Sequence, residues 1–235
     1  GGLHLYSWVF STYLLSRTVA LPIFGKLADL YPNRTLYLVS ILIFLAGSIL
    51  AGMARSMTAL TVFRGVQGIG AGGNFALVYI VLADISEPEH RGRMMSYASF
   101  VWGLASVLGP SLGGCIVSWI SWRWIFYINL PIGLLSLAGI WFFLTETRQK
   151  SQTVEIDYAG IFTLTVAILS LLTAFLLGGR QYAWMSLPIV GLFALFALSA
   201  AGFYLAEKRS REPILCFDFF RLRGFSTGNG LVFFS

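Results

Sequence analysis

Charged residues are scarce in this chain, and their scarcity excludes an ordinary water-soluble domain. They make up 11% of the 235 residues, whereas hydrophobic residues make up 57% and the mean hydropathy is +0.78. Soluble domains carry about 25% charged residues. Long neutral runs lie between the charges, each of about 20 residues or more, enough for a helix to cross a hydrocarbon layer of about 30 Å. These runs are 35–54, 94–122, 124–145, 158–179 and 181–206. We therefore predict an all-α integral membrane protein, a polytopic helix bundle.

Cysteine and histidine are nearly absent, which excludes a disulfide framework and a metal site built on these residues. The chain has two cysteines, Cys115 and Cys216, and two histidines, His4 and His90. They are too few and too far apart for metal-ligand spacing. The histidines and acids also form no constellation of nucleophile, base and metal. We expect no metal, no cofactor and no enzymatic activity.

Acidic residues number only ten against 16 basic ones, which gives a net charge of +6. Such a balance can indicate a nucleic-acid partner, but most of the basic residues lie at alternate borders of the neutral runs. The opposite borders hold only Arg55, Arg123 and Arg180. By the positive-inside rule the basic borders face the cytoplasm, so we expect a multi-pass protein of the cell membrane, surrounded by lipid and without a nucleic-acid partner. The predicted cytoplasmic loops lie near 29–35, 85–91, 147–157 and 207–223.

The neutral runs and their polar breaks predict about seven transmembrane helices and the start of another near 224. The seven are placed at 5–28, 36–54, 57–84, 92–119, 123–145, 158–178 and 186–207. Segment 147–157 is polar and marks the strongest boundary between structural units. Segment 207–223 is basic and aromatic, as in a stretch along the inner membrane surface. Because the chain lacks an initiator methionine and ends in a new apolar run, we expect it to be a fragment.

Arg64 is a charge inside a predicted membrane helix. An arginine there costs about 2.5–3.5 kcal/mol on insertion scales and normally faces a wet cavity or a partner. At 100° per residue Gln67, Ala71 and Asn74 fall on its side of the helix, so we predict a cavity wall. The alternative is that Arg64 reaches the outer interface, about two turns away.

Arg17 lies deeper in its own helix, with Tyr13 one turn outward on the same face. No acid in the predicted spans can neutralise either arginine. The counterion is then water, a substrate or a residue outside this chain. A cavity role for Arg17 competes with a structural role as hydrogen-bond donor to neighbouring carbonyls.

Two further stretches combine small and charged residues. The loop from Gly25 to Arg34 places Asp29 at a helix end where an acid opposes the helix dipole. We expect Arg91 or Arg93 to compensate it in a conformational latch; the alternative is a solvated topology signal.

The helix at 92–119 contains Gly109, Pro110, Gly113 and Gly114, in which Pro110 removes a backbone hydrogen bond and kinks the helix. Ala105, Gly109 and Gly113 form a small-residue stripe at i, i+4 and i+8 that lets another helix approach closely. Taken by itself, that stripe is better explained by ordinary small-residue packing.

Four stretches, in this order, resemble the major facilitator superfamily of secondary transporters, and in particular its 14-helix drug:proton antiporter branch. The loop 25–34 resembles the family signature between helices 2 and 3, and Arg64 with Gln67 resembles its helix 4 motif. The run 109–114 resembles the antiporter motif of helix 5. Stretch 121–133, Ser-Trp-Arg-Trp-Ile-Phe-Tyr-Ile-Asn-Leu-Pro-Ile-Gly, resembles the start of helix 6 in this branch.

The resemblance implies a division of the chain. Residues 1–146 would hold helices 2–6 of the N-terminal six-helix bundle, 147–210 an inserted pair of helices, and 211–235 the start of the C-terminal bundle. Helix 1, which is missing here, usually carries an acid in this branch and would supply the counterion.

The resemblance also implies export of hydrophobic or cationic small molecules in exchange for protons, by alternating access and without a cofactor. Arg64 would take part in proton coupling, Asp29 in a cytoplasmic charge latch, and Pro110 in the interface between halves. The chain departs from the family at Pro32 and Asn33, where Gly and a base are usual, and at Ala105. Transport of an anionic metabolite or a siderophore-like compound is the alternative, and a non-transporting membrane scaffold is another.

Overall fold

The chain is a bundle of α-helices in a computed structural model that describes residues 3–145, 157–210 and 227. The helices are α1 (Leu3–Leu30), α2 (Asn33–Gly52), α3 (Met57–Ile85), α4 (Arg91–Trp119), α5 (Trp124–Tyr127), α6 (Asn129–Phe143), α7 (Tyr158–Leu177) and α8 (Leu187–Arg209). No β-strand occurs in these ranges, where one isolated bridge joins Gly178 and Tyr182. The predicted all-α membrane fold is confirmed.

Six segments of the described chain are long and apolar enough to cross a membrane: α2, α3, α4, α7, α8, and α5 with α6 taken together. The helix α1 is 28 residues long, about 42 Å by helix rise. It is not among the six because serine, threonine and charged residues dilute its hydrophobicity. By length alone α1 is sufficient to cross the membrane, and it corresponds to the predicted span 5–28. The predicted helix near 224, the segment 211–223 and both predicted unit boundaries lie outside the described residues.

The helix starts follow local capping chemistry. The side chain of Ser56 accepts a hydrogen bond from the backbone N–H of Ala59 at 3.1 Å, and that of Asp157 accepts one from Gly160 at 2.8 Å. Such caps satisfy N–H groups that have no partner within the helix. The predicted starts at 57 and 158 are therefore correct.

The predicted helix 123–145 is found as one membrane-crossing segment, Trp124–Phe143, but its hydrogen-bond ladder is interrupted at Ile128, which divides it into α5 and α6. Pro131 has no N–H to donate to the carbonyl of Tyr127, and its ring crowds that carbonyl. The proline is visible in the sequence and explains the break. Across Pro110, by contrast, α4 is one continuous helix.

The central helix of the bundle is α3, which packs closely between α1 and α2. Glycines make this close approach possible. A Cβ atom at Gly68 would lie 2.5 Å from the carbonyl oxygen of Tyr13 in α1, and one at Gly73 would lie 2.7 Å from Cβ of Ser40 in α2. Gly70, on the side of α3 away from Gly68, faces the backbone nitrogen of Phe44 in α2, so backbone meets backbone on both flanks.

The pair α7 and α8 forms a separate layer. The two helices pack on each other through Phe175, which meets the rings of Trp184 and Phe193 edge to face. Within the described residues α7 also touches α1, and α8 touches no other helix. The helix α4 contacts α3 and α5 and has no buried residue of its own.

Candidate functional site

A cavity of about 610 Å³ lies among α1, α2, α3 and α4. Its described wall is mainly aromatic and aliphatic. The polar side chains in this wall are Tyr13, Arg17, Tyr37, Asn74 and Tyr97. We call it the Arg17 cavity. Its size is in the range of small-molecule sites, about 300–1,000 Å³.

Arg17 projects from α1 toward α3 and α4. Its guanidinium carbon lies 4.8 Å from the ring centroid of Phe75 in α3 and 5.2 Å from that of Trp102 in α4. Both distances are within the range of cation–π attraction. Among the described residues Arg17 makes no hydrogen bond and no ion pair. Its predicted structural role as a donor to neighbouring carbonyls is therefore not seen in this part of the chain.

A second cavity, of about 670 Å³, lies beside Arg64. We call it the Arg64 cavity. Its described wall comes from the first half of α1, the start of α3, Val117 near the end of α4, and the aromatic junction around Trp122 and Phe126. No carboxylate lines either cavity among the described residues.

Two hydrogen-bond acceptors and two aromatic rings surround the guanidinium of Arg64, the more distant ring being that of Phe126 at 5.8 Å. Nη1 donates to Oε1 of Gln67 at 2.7 Å, and Nε donates to the carbonyl oxygen of Val9 at 3.4 Å. The guanidinium carbon also lies 3.9 Å from the ring centroid of Tyr13. These contacts keep Arg64 against α1, turned inward beside a cavity, which favours the predicted cavity role over extension to the outer interface.

A buried polar network stands behind Arg64. Gln67 is 2% exposed, and its Nε2 donates to Oγ of the fully buried Ser48 at 2.6 Å. Nδ2 of Asn129 donates to the same oxygen at 3.1 Å. The network thus joins α3 to α2 and α6 and fixes the amide that holds Arg64. Sequence reasoning missed Ser48 and gave no role to Asn129; the signal for Asn129 was a polar residue at the start of a membrane helix.

The predicted polar stripe on α3 divides between the two cavities. Asn74 lines the Arg17 cavity, and its Oδ1 accepts a hydrogen bond from Oγ of the buried Ser40 at 2.6 Å. Arg64 lines the other cavity. Tyr13 connects them, because it lines the Arg17 cavity while its ring lies against Arg64. The structure therefore divides four of the five predicted cavity residues between two compartments, and the fifth, Gln67, is buried behind Arg64 and lies in neither described wall.

The predicted latch residues lie near one end of the bundle but do not form the predicted pair in this structure. Oδ2 of Asp29 lies 3.9 Å from Nζ of the buried Lys26. Arg91 donates to the carbonyl oxygen of Ala83 at 3.1 Å, and Arg93 donates to the hydroxyl of Tyr97 at 3.1 Å. The latch between Asp29 and these arginines stays a prediction.

At the same end, the first two residues of α2, Asn33 and Arg34, contact α3 and α6. Nδ2 of the buried Asn33 donates to Oδ2 of Asp84 in α3 at 2.7 Å. Arg34 donates to the carbonyl oxygen of Trp141 in α6, and its guanidinium lies 4.9 Å from that indole ring. Asn33, one of the departures from the family loop, thus fastens α2 to α3. An added Cβ at Gly25 would meet nothing within 4 Å in the described part of the chain.

The predicted antiporter-motif residues lie on the open side of α4. A Cβ atom at Gly109, Gly113 or Gly114 would meet nothing within 4 Å among the described residues, and Pro110 is exposed. The described chain therefore places no helix against this stripe, and its role stays a prediction.

Comparison with known proteins supplies the identity of the fold. The chain is 43% identical to the multidrug transporter protein MdtP of Bacillus subtilis over 234 residues, 100% of this chain and 43% of that protein. It is 40% identical to multidrug resistance protein 3 of the same organism, over 99% of this chain and 45% of that protein. It is 38% identical to the efflux pump FUS6 of Gibberella moniliformis, over 97% of this chain and 42% of that protein.

The chain thus spans less than half the length of these curated relatives. Their names are those of transporters and not of enzymes. The sequence profile of the Major Facilitator Superfamily matches residues 1–219, which include every helix from α1 to α8. The chain therefore belongs to the Major Facilitator Superfamily.

Proposed function

We propose that this chain is the N-terminal part of a secondary transporter that exports hydrophobic small molecules in exchange for protons by alternating access. The observation that carries the proposal is Arg64. It is a cation inside a membrane span, beside a 670 Å³ cavity, with no carboxylate among the described residues of the wall. A charge in this position marks an ion or substrate pathway in membrane proteins.

The geometry of Arg64 suits a switch in ion pairing. One amide, one carbonyl and two aromatic rings hold the guanidinium in place, so its position does not depend on a fixed counterion. An acid that approaches it from the cavity would pair with it when ionised and release it when protonated. That change in pairing links proton binding to conformation without any covalent step.

The substrate class follows from the walls and from the relatives. Both cavities are lined mainly by aromatic and aliphatic side chains, and the relatives bear the names of multidrug transporters and an efflux pump. Transfer of a hydrophobic molecule from water to such a surface is favourable, and transfer from lipid to it costs little free energy. The cationic substrates that the family likeness implies should be tested in the same vesicle assay.

The test is proton release from everted membrane vesicles. After acidification of the lumen, addition of a hydrophobic drug should dissipate the pH gradient, followed by the fluorescence of an acridine dye. Arg64→Ala should abolish this response while the protein still inserts to the same level. Arg55→Ala removes the same charge from an exposed loop position and should leave the response intact. Drug-dependent proton release at the unsubstituted rate by Arg64→Ala would refute the role of Arg64.

A further inference from the structure

We infer that Arg17 is the recognition site for an anionic group on the ligand, and that the Arg17 cavity accepts hydrophobic carboxylates. This inference rests on the proposed transport function and names a substrate class for it. The ligand would have an aromatic or aliphatic body in the apolar part of the cavity and a carboxylate at the guanidinium of Arg17.

The depth of Arg17 separates it from the membrane surface. It lies near the middle of α1, about 20 Å from the end at Leu30 by helix rise. The hydrocarbon layer is about 30 Å thick, so a lipid phosphate at the interface lies too far away to be its usual partner. The anion must therefore enter the cavity itself.

The guanidinium has donors to offer. It carries five N–H groups in a rigid fork that matches a carboxylate. Phe75 and Trp102 attract it through their ring faces but do not accept conventional hydrogen bonds. Across the ranges 3–145 and 157–210 no acceptor is bonded to Arg17. A carboxylate would satisfy two of these donors at once.

The two rings also position Arg17. They come from different helices, α3 and α4, and lie edge to face with centroids 5.7 Å apart. The guanidinium lies beside both, so its rotation is restricted before any ligand arrives. A preorganised donor binds an anion more tightly than a mobile side chain because less conformational entropy is lost.

The rest of the cavity fits the body of such a ligand. Phe44, Val78 and Val101 are among the apolar residues of its wall, and the volume of about 610 Å³ holds a molecule of several fused rings. A cationic ligand would meet the charge of Arg17 with no carboxylate among the described lining residues to offset it. The wall therefore favours an acid over an amine of the same shape.

Two other roles for Arg17 would give different results. It could only tie α1 to α4 through the aromatic rings, or it could pair permanently with an acid outside the described residues. In both cases the charge of the ligand would make no difference to binding.

The experiment measures equilibrium binding to the protein as its gene encodes it, in nanodiscs without a pH gradient. The probes are 1-pyrenebutyrate and its neutral amide, 1-pyrenebutyramide, which share the same ring system and chain. The unsubstituted protein should bind the acid at least about tenfold more tightly than the amide, because a hydrogen bond to a charged group changes an affinity by about 10- to 100-fold.

Substitutions then assign the preference. Arg17→Gln should weaken binding of the acid by about 10- to 100-fold and leave binding of the amide within about twofold. Arg17→Lys should keep part of the preference, and Arg55→Gln, the same change at an exposed loop position, should keep all of it.

Equal affinity for acid and amide in the unsubstituted protein would overturn the inference, and that result needs no variant to fold. A parallel loss of both ligands in Arg17→Gln would overturn it as well. Because no gradient is present, failure of proton coupling would leave these affinities unchanged. The binding assay and the vesicle assay therefore fail separately.

Discussion

Replacement of Gly68 by alanine tests whether backbone contact between α1 and α3 sets the position of Arg64. The added Cβ would lie 2.5 Å from the carbonyl oxygen of Tyr13 and 2.9 Å from Cβ of Ser16, whereas ordinary contacts begin at 3.4 Å. The helix α1 must then move away from α3 by about 1 Å. Overpacking of this kind costs about 1–3 kcal/mol. Alanine recovers about 0.5–1 kcal/mol of helix propensity, so we expect a net loss of about 1–2 kcal/mol.

The matched control is Gly191→Ala in α8. This glycine also lies inside a membrane helix, but an added Cβ would meet nothing within 4 Å among the described residues. We expect the control to be neutral or slightly stabilising because only the propensity term remains. Unfolding in mixed detergent micelles, followed by tryptophan fluorescence, gives both free energies on one scale.

The functional arm of the experiment uses the vesicle assay. Val9 and Tyr13, which contact Arg64, both belong to α1. A shift of α1 lengthens these contacts, so proton release should fall in Gly68→Ala and not in Gly191→Ala. Equal stability and equal transport in the two variants would show that the glycine contact does not determine the site.

Two other predictions concern the network and the topology. Gln67→Leu should destabilise the protein by about 1–3 kcal/mol and lower proton release, because Arg64 loses an acceptor and Ser48 a donor. The control is Gln181→Leu at an exposed loop position. Identical melting curves for Gln67→Leu and the unsubstituted protein would contradict the network. Single cysteines can be placed at Glu87 and Gln181 in a background without the natural cysteines. The cysteine at position 87 should react with an impermeant maleimide only from the cytoplasmic side, and the one at position 181 only from the outer side. Labelling of both from one side would refute the predicted orientation.

Hydrophobic runs and the polar breaks between them were enough to predict most of the fold. The neutral runs place the spans because a helix in lipid must satisfy its own backbone, and α3 starts at Met57, the residue predicted. The interruption between α5 and α6 was missed because 124–145 is one uncharged run. Only Pro131 signals it, through a hydrogen bond that it cannot donate.

The candidate site was predictable along one helix but not between helices. Gln67 was expected beside Arg64 from helical spacing alone, and the two are in contact. Ser48 could not be predicted, because its contact with Gln67 depends on the register between α2 and α3. That register is set where Gly47 faces the backbone of Gln67, with an added Cβ 2.5 Å from its nitrogen. A single sequence does not determine which residues of two neighbouring helices face each other.

The position of Asn74 shows the same limit. Its side of α3 was predicted, and it does line a cavity, but about 15 Å of helix rise separates it from Arg64. Over that distance the neighbours of α3 change from the aromatic junction at α5 to the face of α4. Angular position on a helix therefore says which side a residue lies on, and not which compartment it enters.

The ring of Tyr13 has a consequence for how the two compartments influence each other. Its face lies 3.9 Å from the guanidinium carbon of Arg64, and the same residue belongs to the wall around Arg17. A ligand that displaces the phenol to gain room on one side withdraws a favourable contact from the cation on the other. By thermodynamic reciprocity, any group that stabilises the Arg64 guanidinium in the absence of the Tyr13 ring also makes it easier for a ligand to enter the Arg17 cavity. Through Tyr13, ligand occupancy of the Arg17 cavity and ion pairing of Arg64 therefore depend on each other, although the ligand does not need to touch Arg64.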